Sequence, residues 1–166
     1  MKTPTPDFAA ILRTLVEHGV GFVVVGGVGA VVQGAPIATF DLEIVHARDP
    51  VNVKRIMAAL KELEAWYRSR PNDRRMPDES HLVSPGHQLL MTRYGPLDLL
   101  GVVGAGWGFD DLAGRTLELE VSAGLRVRIL ELAALIRIKE ELGRDKDKAV
   151  LPVLRRSLEE SRKPRE

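Results

Sequence analysis

A strand broken by two adjacent glycines constrains the fold of this chain most strongly. The run Phe22 to Val25 is rich in β-branched residues and short enough for a buried strand. Gly26-Gly27 break it, and Val28 to Gln33 predict a short helix that Gly34 ends. Such a turn leaves backbone N–H groups at a helix N-terminus, where phosphate binds without a basic side chain. Glycine pairs also make ordinary tight turns, so the pair indicates a phosphate site only together with other residues.

A pair of acids lies in the next predicted strand, Thr39 to Val45. Alternation places Thr39, Asp41 and Glu43 on one face of this strand. Two carboxylates on one strand face can converge on a divalent cation, although such pairs also occur on solvated faces. The opposite face, which we expect to point towards the core, carries Phe40, Leu42 and Ile44.

A third acid, Asp98, stands inside another apolar segment, Gly95 to Leu100. If its strand neighbours the strand of Asp41 and Glu43, three carboxylates meet at one point. A single aspartate in a strand can also pair with a cationic side chain or a backbone amide. The three acids and the glycine turn together indicate a site for a phosphate beside Mg²⁺.

The remaining pattern predicts a single α+β domain over residues 1–166, with no internal repeat and no linker. The charged end, about 159–166, is expected to fray. Residues 68–80 predict a mobile polar loop, in which four arginines could engage RNA phosphates or simply be solvated. Helices are predicted at about 8–17, 50–63, 132–142 and 146–158, and strands at about 88–93, 97–102, 117–121 and 125–129, the last two forming a hairpin.

Composition excludes several classes of protein. The chain has 24 Lys and Arg against 23 Asp and Glu, so no overall field attracts nucleic acid and any anion binding must be local. The absence of cysteine excludes disulfides and thiolate metal sites. The first residues lack the apolar core of a signal peptide, and the most apolar stretch, Val20 to Val32, is too short to cross a bilayer. A cytoplasmic protein with no membrane partner is expected.

The order of these pieces resembles the DNA polymerase β-type nucleotidyltransferase superfamily. The similarity is greatest to small bacterial nucleotidyltransferase-like proteins, including the abortive-infection toxin type. Those proteins tend to end in a hairpin and a helical Lys-x(4)-Arg-x-Lys-Asp segment, and the resemblance runs from about Phe22 to Leu158. The matching residues of that segment are Lys139, Arg144, Lys146 and Asp147.

This resemblance implies a nucleotidyltransferase fold, a mixed β-sheet flanked by helices with a C-terminal hairpin and two helices. It implies that Gly26 and Gly27 hold the triphosphate of a nucleotide and that Thr39 supports Asp41 by a hydrogen bond. Asp41, Glu43 and Asp98 would be the metal ligands and catalytic residues, with Mg²⁺ or Mn²⁺ as cofactor and Asp98 also acting as a base. Lys139, Arg144 and Lys146 would reach phosphate or acceptor, unless they simply pair with Glu140, Glu141 and Asp145.

The chain departs from the family pattern at three positions. Ile37 stands where the family usually has arginine, Glu43 where it has a second aspartate, and Val28 where many active members carry serine. The implied function is transfer of a nucleoside monophosphate from a nucleoside triphosphate to an acceptor hydroxyl or phosphate. The acceptor would be RNA or protein in a toxin with a cognate antitoxin protein. The alternatives are an impaired nucleotide- or protein-binding module and a transferase acting on a small molecule such as an antibiotic.

Overall fold

The computed structural model describes residues 5–164. Residues 1–4, which belong to the N-terminal stretch expected to lack a signal peptide, lie outside this range. Residues 165 and 166, the end of the expected charged tail, also lie outside it. None of the helices within 5–164 is long and apolar enough to cross a membrane.

A seven-stranded mixed sheet organises the described part of the chain. Its strands are β1 Phe22–Val25, β2 Leu42–His46, β3 Trp66–Tyr67, β4 His87–Thr92, β5 Gly95–Leu100, β8 Thr116–Ser122 and β9 Leu125–Leu130, while β6 Val102–Val103 and β7 Trp107–Gly108 form a separate ribbon. The order in the sheet is β3-β4-β5-β2-β1-β9-β8. Strands β2 and β5 are parallel, as are β1 and β9, and the other neighbours in the sheet are antiparallel.

Helices cover both faces of this sheet. The helices are α1 Phe8–Glu17, α2 Gly26–Val32, α3 Pro50–Glu62, α4 Glu79–Val83, α5 Phe109–Leu112, α6 Leu132–Leu142 and α7 Asp145–Ser161, with a 3-10 turn at Ala113–Arg115. Leu42 and Ile44 of β2 belong to the core that includes apolar residues of α1 and α3, whereas Val45 faces the core built with α6 and α7. The α+β class with a mixed sheet flanked by helices is therefore confirmed, as are the C-terminal hairpin β8–β9 and the two final helices.

The structure corrects several predicted boundaries. Strand β2 begins at Leu42, so Thr39 and Asp41 precede it instead of forming its first half. Phe40 is 80% exposed and does not enter the core, whereas Leu42 and Ile44 do. The segment 68–80, predicted as a loop, follows the short strand β3, and its last two residues begin α4. Helix α7 continues to Ser161, three residues into the expected tail.

Candidate active site

Three carboxylates meet where β2 and β5 run side by side. Glu43 and Asp98 are direct partners in the parallel register of these strands, so their side chains project from the same face. Asp41 lies just before β2. One oxygen from each of Asp41, Glu43 and Asp98 lies within 4.8 Å of the other two. The structure thus brings together the three acids that the sequence selected, although Asp41 reaches the group from a bend.

Arg68 is a neighbour of the carboxylates that the sequence did not single out. Its Nη1 lies 2.7 Å from Oδ1 of Asp98 and also donates a hydrogen bond of 2.7 Å to the backbone oxygen of Leu90. Arg68 follows the edge strand β3, and its backbone N–H extends the pairing to Leu89. The expectation of a solvated basic loop is therefore wrong for Arg68. Arg68 reaches Asp98 because β3 pairs with β4, a contact between segments that are distant in sequence.

The charges of the three acids destabilise one another. Burial raises the pKa of Glu43, and the negative charges of Asp41 and Asp98 raise it further, against Lys139 and Lys146, which lower it. Burial likewise raises the pKa of Asp98, partly offset by Arg68. Oδ1 of Asp98 accepts no hydrogen bond of good geometry among the described residues and faces Arg68 as an ion pair. A group of close, incompletely neutralised carboxylate oxygens fits a hard divalent cation such as Mg²⁺.

The glycine turn lies directly against this group. Gly26 has a φ of +72°, which favours glycine, and a Cβ there would lie 2.5 Å from Oε2 of Glu43. A Cβ on Gly27 would lie 2.8 Å from Oγ1 of Thr39. That hydroxyl donates a 3.1 Å hydrogen bond to the backbone oxygen of Asp41, so Thr39 contacts the main chain of Asp41. The segment that carries the acids therefore packs so closely against both positions that a side chain would clash there, and glycine is required at each.

A cavity of about 250 Å³ opens between the glycine turn and helices α6 and α7. We call it the glycine cavity. Three cationic side chains and one carboxylate reach it, so its charge suits an anion held beside a cation. It is lined by Gly26, Gly27, Ala30, Ile37, Glu43, Leu135, Lys139, Arg144, Lys146, Val150 and Leu154.

Asp147 holds two of these cations in place. Its side chain is fully buried, and its Oδ1 lies 3.2 Å from Nζ of Lys139. Its Oδ2 accepts hydrogen bonds from Nε of Arg144 at 2.6 Å and from the backbone N–H of the same residue at 3.2 Å. These hydrogen bonds and charges hold the pKa of Asp147 at about 2, although burial acts in the opposite direction. Lys146 makes no ion pair with any residue in the range 5–164.

The alternative partners expected for the cations are therefore wrong. Lys139 and Arg144 do not pair with Glu140, Glu141 or Asp145 but with Asp147. Glu140 pairs instead with Arg155, and Glu141 with Arg137. Their common partner, Asp147, is the last residue of the Lys-x(4)-Arg-x-Lys-Asp segment. The presence of an aspartate in that segment was the sequence signal that Asp147 could pair with the lysine and the arginine.

Solved structures share this architecture. A crystal structure of a candidate nucleotidyltransferase from Thermotoga maritima is 18% identical, covering 92% of this chain and 91% of that one, with a TM-score of 0.56. The lincosamide antibiotic adenylyltransferase LnuA, bound to lincomycin, is 14% identical over 89% of this chain and 94% of that one, with a TM-score of 0.60. The enzyme ANT(2")-Ia in complex with adenylyl-2"-tobramycin is 15% identical over 93% and 90%, also with a TM-score of 0.60.

No protein-family model and no curated protein sequence matches the chain. The shared fold nevertheless confirms the nucleotidyltransferase fold expected from the order of the motifs. At these sequence identities the structural similarity shows that the fold is shared, but it does not show that this chain has the activities of the neighbours.

Proposed function

We propose that this chain is a nucleotidyltransferase that moves a nucleoside monophosphate from a nucleoside triphosphate to an acceptor hydroxyl with the help of Mg²⁺ or Mn²⁺. The observation that carries the proposal is the carboxylate group beside the glycine cavity. One oxygen each of Asp41, Glu43 and Asp98 lies within 4.8 Å of the others, and Glu43 also lines a cavity with three cationic side chains. A metal beside a polyphosphate needs this combination of charges.

Each part has a role in the proposed reaction. Lys139, Arg144 and Lys146 bind the β- and γ-phosphates and stabilise the charge that develops on departing pyrophosphate. Asp41, Glu43 and Asp98 are the candidate ligands of the divalent ion, which supplies Lewis-acid stabilisation of the phosphates when bound. The acceptor oxygen forms a bond to the α-phosphorus, and the bond from that phosphorus to pyrophosphate breaks. Asp98, whose raised pKa favours proton uptake, receives the acceptor hydroxyl proton.

The structure offers compensation for two departures from the family pattern. Glu43 has one methylene more than aspartate, and its carboxylate lies where a Cβ on Gly26 would stand. The longer side chain is therefore accommodated by the missing side chain of Gly26. Ile37 brings no charge to the glycine cavity, but Lys139 and Lys146 reach the same cavity from α6 and α7. These contacts favour an active site over a relic.

A second candidate is a module that binds nucleotide without transferring it. The observation in its favour is Ile37 itself, an apolar side chain in the wall of the glycine cavity where the family carries arginine. Loss of that cation would weaken transition-state stabilisation more than ground-state binding. Nucleotide binding without turnover would support this candidate.

The acceptor separates two versions of the proposed enzyme. Resemblance to abortive-infection toxins supports an RNA or protein acceptor and a cognate antitoxin protein in the cytoplasm. The structural neighbours that adenylylate lincosamides or tobramycin support a small hydroxylated acceptor.

The decisive experiment incubates the protein with each α-labelled nucleoside triphosphate, Mg²⁺ or Mn²⁺, and a cell extract that contains RNA, protein and small molecules. Asp41→Asn serves as the control. We expect metal-dependent label in a product with the native protein and none with the variant. Label that persists with Asp41→Asn would remove the carboxylate group from the mechanism, and binding without any labelled product in the RNA, protein or small-molecule fraction would favour the second candidate.

A further inference from the structure

A second cavity, of about 570 Å³, lies beside the carboxylates and has no part in the proposed nucleotide binding. We call it the hairpin cavity, because the turn between β4 and β5 forms much of its wall. Its volume falls within the range of small-ligand sites, about 300–1,000 Å³. It is lined by Thr5, Pro6, Asp7, Phe40, Met91, Thr92, Arg93, Tyr94, Gly95 and Pro96.

The hairpin cavity adjoins the carboxylate group on the side away from the glycine cavity. Pro96 precedes Asp98 by two residues on β5, so the two share a face at a backbone separation of about 7 Å. Met91 is the cross-strand partner of Pro96 and lies on that face as well. Phe40 is joined directly to Asp41. In the sheet, β2 therefore lies between the β4–β5 wall of this cavity and β1 with the glycine turn that follows it.

The walls of the hairpin cavity are preformed by hydrogen bonds. The backbone N–H of Asp7 donates to the backbone oxygen of Tyr94 at 2.8 Å, which fastens the N-terminal segment to the turn. Oγ1 of Thr92 donates to the backbone oxygen of Gly95 at 2.8 Å and closes the turn itself. A preformed cavity loses little conformational entropy when a ligand binds.

The chemistry of the walls is apolar and aromatic. Phe40 leaves 80% of its surface exposed at the rim, where its ring is accessible to a ligand. The two charged residues of the wall are already engaged. Oδ1 of Asp7 accepts the N–H of Ala10 at 3.0 Å, and the guanidinium of Arg93 lies 5.2 Å from the ring centre of Tyr94.

We infer that the hairpin cavity holds the acceptor and that this acceptor is a small, electrically neutral molecule with a flat apolar body and a hydroxyl group. The inference rests on the proposed function, because the cavity can be an acceptor site only if the neighbouring carboxylates take part in nucleotidyl transfer. The flat body packs against Phe40 and Tyr94, and its hydroxyl reaches towards Asp41 and Asp98. Among the described residues of these walls, a polycation finds one carboxylate, which is engaged, and a nucleic acid finds one arginine instead of a basic track.

The experiment measures binding to the hairpin cavity without relying on turnover. The probes are 2-(2-naphthyl)ethanol, its cationic analogue 2-(2-naphthyl)ethylamine, and the trinucleotide r(AAA), each titrated by ligand-observed NMR. The variants are Phe40→Ala, Phe40→Trp to restore an aromatic wall, and Leu117→Ala as matched control. Leu117 is 44% exposed on β8, at the far edge of the sheet, and lies in neither cavity.

We expect the alcohol to bind native protein and Leu117→Ala equally, about tenfold more weakly to Phe40→Ala, and again tightly to Phe40→Trp. The amine should bind more weakly than the alcohol. Equal binding of the alcohol to native protein and Phe40→Ala, or no binding at all, would overturn the inference. If the amine binds more tightly than the alcohol, the inference that the acceptor is electrically neutral is overturned. If r(AAA) binds more tightly than the alcohol and its binding depends on Phe40, the acceptor is RNA instead of a small molecule.

A parallel measurement separates this inference from the proposed function. The melting temperature of native protein is recorded with Mg²⁺ and each of the four nucleoside triphosphates in turn. A shift without Phe40-dependent binding of the alcohol counts against the acceptor site alone, whereas the absence of any shift counts against the nucleotidyltransferase itself.

Discussion

Two buried aspartates in this protein have opposite electrostatic surroundings. Asp147 has no exposed surface and is neutralised by Lys139 and Arg144, which hold its pKa at about 2. Asp98 is 6% exposed and has a raised pKa, because burial and the charge of Asp41 outweigh the stabilisation of its carboxylate by Arg68. The same side chain is thus stabilised as an anion at one site and destabilised as an anion at the other.

Under the proposed function, Asp147 is a structural acid, which stabilises the fold, and Asp98 is a chemical acid, which takes part in the reaction. Asp147 is satisfied by the fold, and it positions two cations at the wall of the glycine cavity. Asp98 keeps an oxygen without a well-formed hydrogen bond among the described residues, beside two more carboxylates. Buried groups left in this state cost folding free energy, and in enzymes that cost is often tolerated because a ligand or a reaction uses the group.

Replacement of the chemical acids should produce the largest effect. Asp98→Asn and Asp41→Asn keep the side-chain shape but remove a charge from the proposed metal site. Transfer should fall about a thousandfold or more in each variant. The measurement is product formation at saturating nucleotide and Mg²⁺. A decrease below tenfold in Asp98→Asn would place Asp98 with the structural acids.

Replacement of the structural acid should produce the largest loss of stability. Asp147→Asn leaves Lys139 and Arg144 without their common partner at a fully buried position, which should cost about 3 kcal/mol of unfolding free energy. Urea denaturation measures the loss. The matched control is Glu140→Gln, which breaks the half-exposed pair with Arg155 and should cost less than about 1 kcal/mol. Similar losses in the two variants would show that burial does not distinguish the pairs.

The acid limb of the stability curve should show the lowered pKa of Asp147 directly. A depressed pKa gives stability that is present above the unfolded value of 3.8 and is lost as pH falls through about 2. The stability difference between native protein and Asp147→Asn should therefore shrink by about 2 kcal/mol between pH 4 and pH 2. Urea midpoints across this range provide the test. A difference that does not depend on pH would mean that the carboxylate charge contributes no stability.

The smallest expected effect is on the stability of Asp98→Asn. The raised pKa means that the protonated, neutral form is favoured by the fold, so the charge lowers stability at neutral pH and this penalty disappears as pH falls. Asparagine imitates the neutral form. Stability at pH 7 should stay unchanged or rise by about 1 kcal/mol, and Mg²⁺ should stabilise the variant less than the native protein. A loss comparable to that of Asp147→Asn would erase the distinction between the two acids.

Local patterns in the sequence located the elements but not the contacts between distant segments. The strand Phe22–Val25 and the helix Leu132–Leu142 were predicted with their observed bounds, because each has an uninterrupted apolar pattern and a glycine at its end. The start of β2 was predicted three residues too early. Pairing with β5 begins at Leu42 and pairing with β1 at Glu43, so Phe40 has no neighbouring strand to cover it.

The candidate site shows the same limit. The three acids could be selected because charged residues in apolar strands are conspicuous. Arg68 and Asp147 could not be assigned by periodicity, because their roles depend on the pairing of β3 with β4 and on the packing of α6 against α7. Sequence spacing alone does not show which of several nearby cations will meet a given carboxylate.

The position of the carboxylates between two cavities has a stereochemical consequence. The glycine cavity lies on the β1 side of the group and the hairpin cavity on the β4–β5 side. If the glycine cavity holds the pyrophosphate part of the nucleotide and the hairpin cavity holds the acceptor, the acceptor oxygen reaches the α-phosphorus on the side opposite to the departing pyrophosphate. Such an arrangement leads to a single in-line displacement, with no nucleotidyl group ever attached to the protein. A chiral α-thiotriphosphate should then give a product whose phosphorus has the inverted configuration.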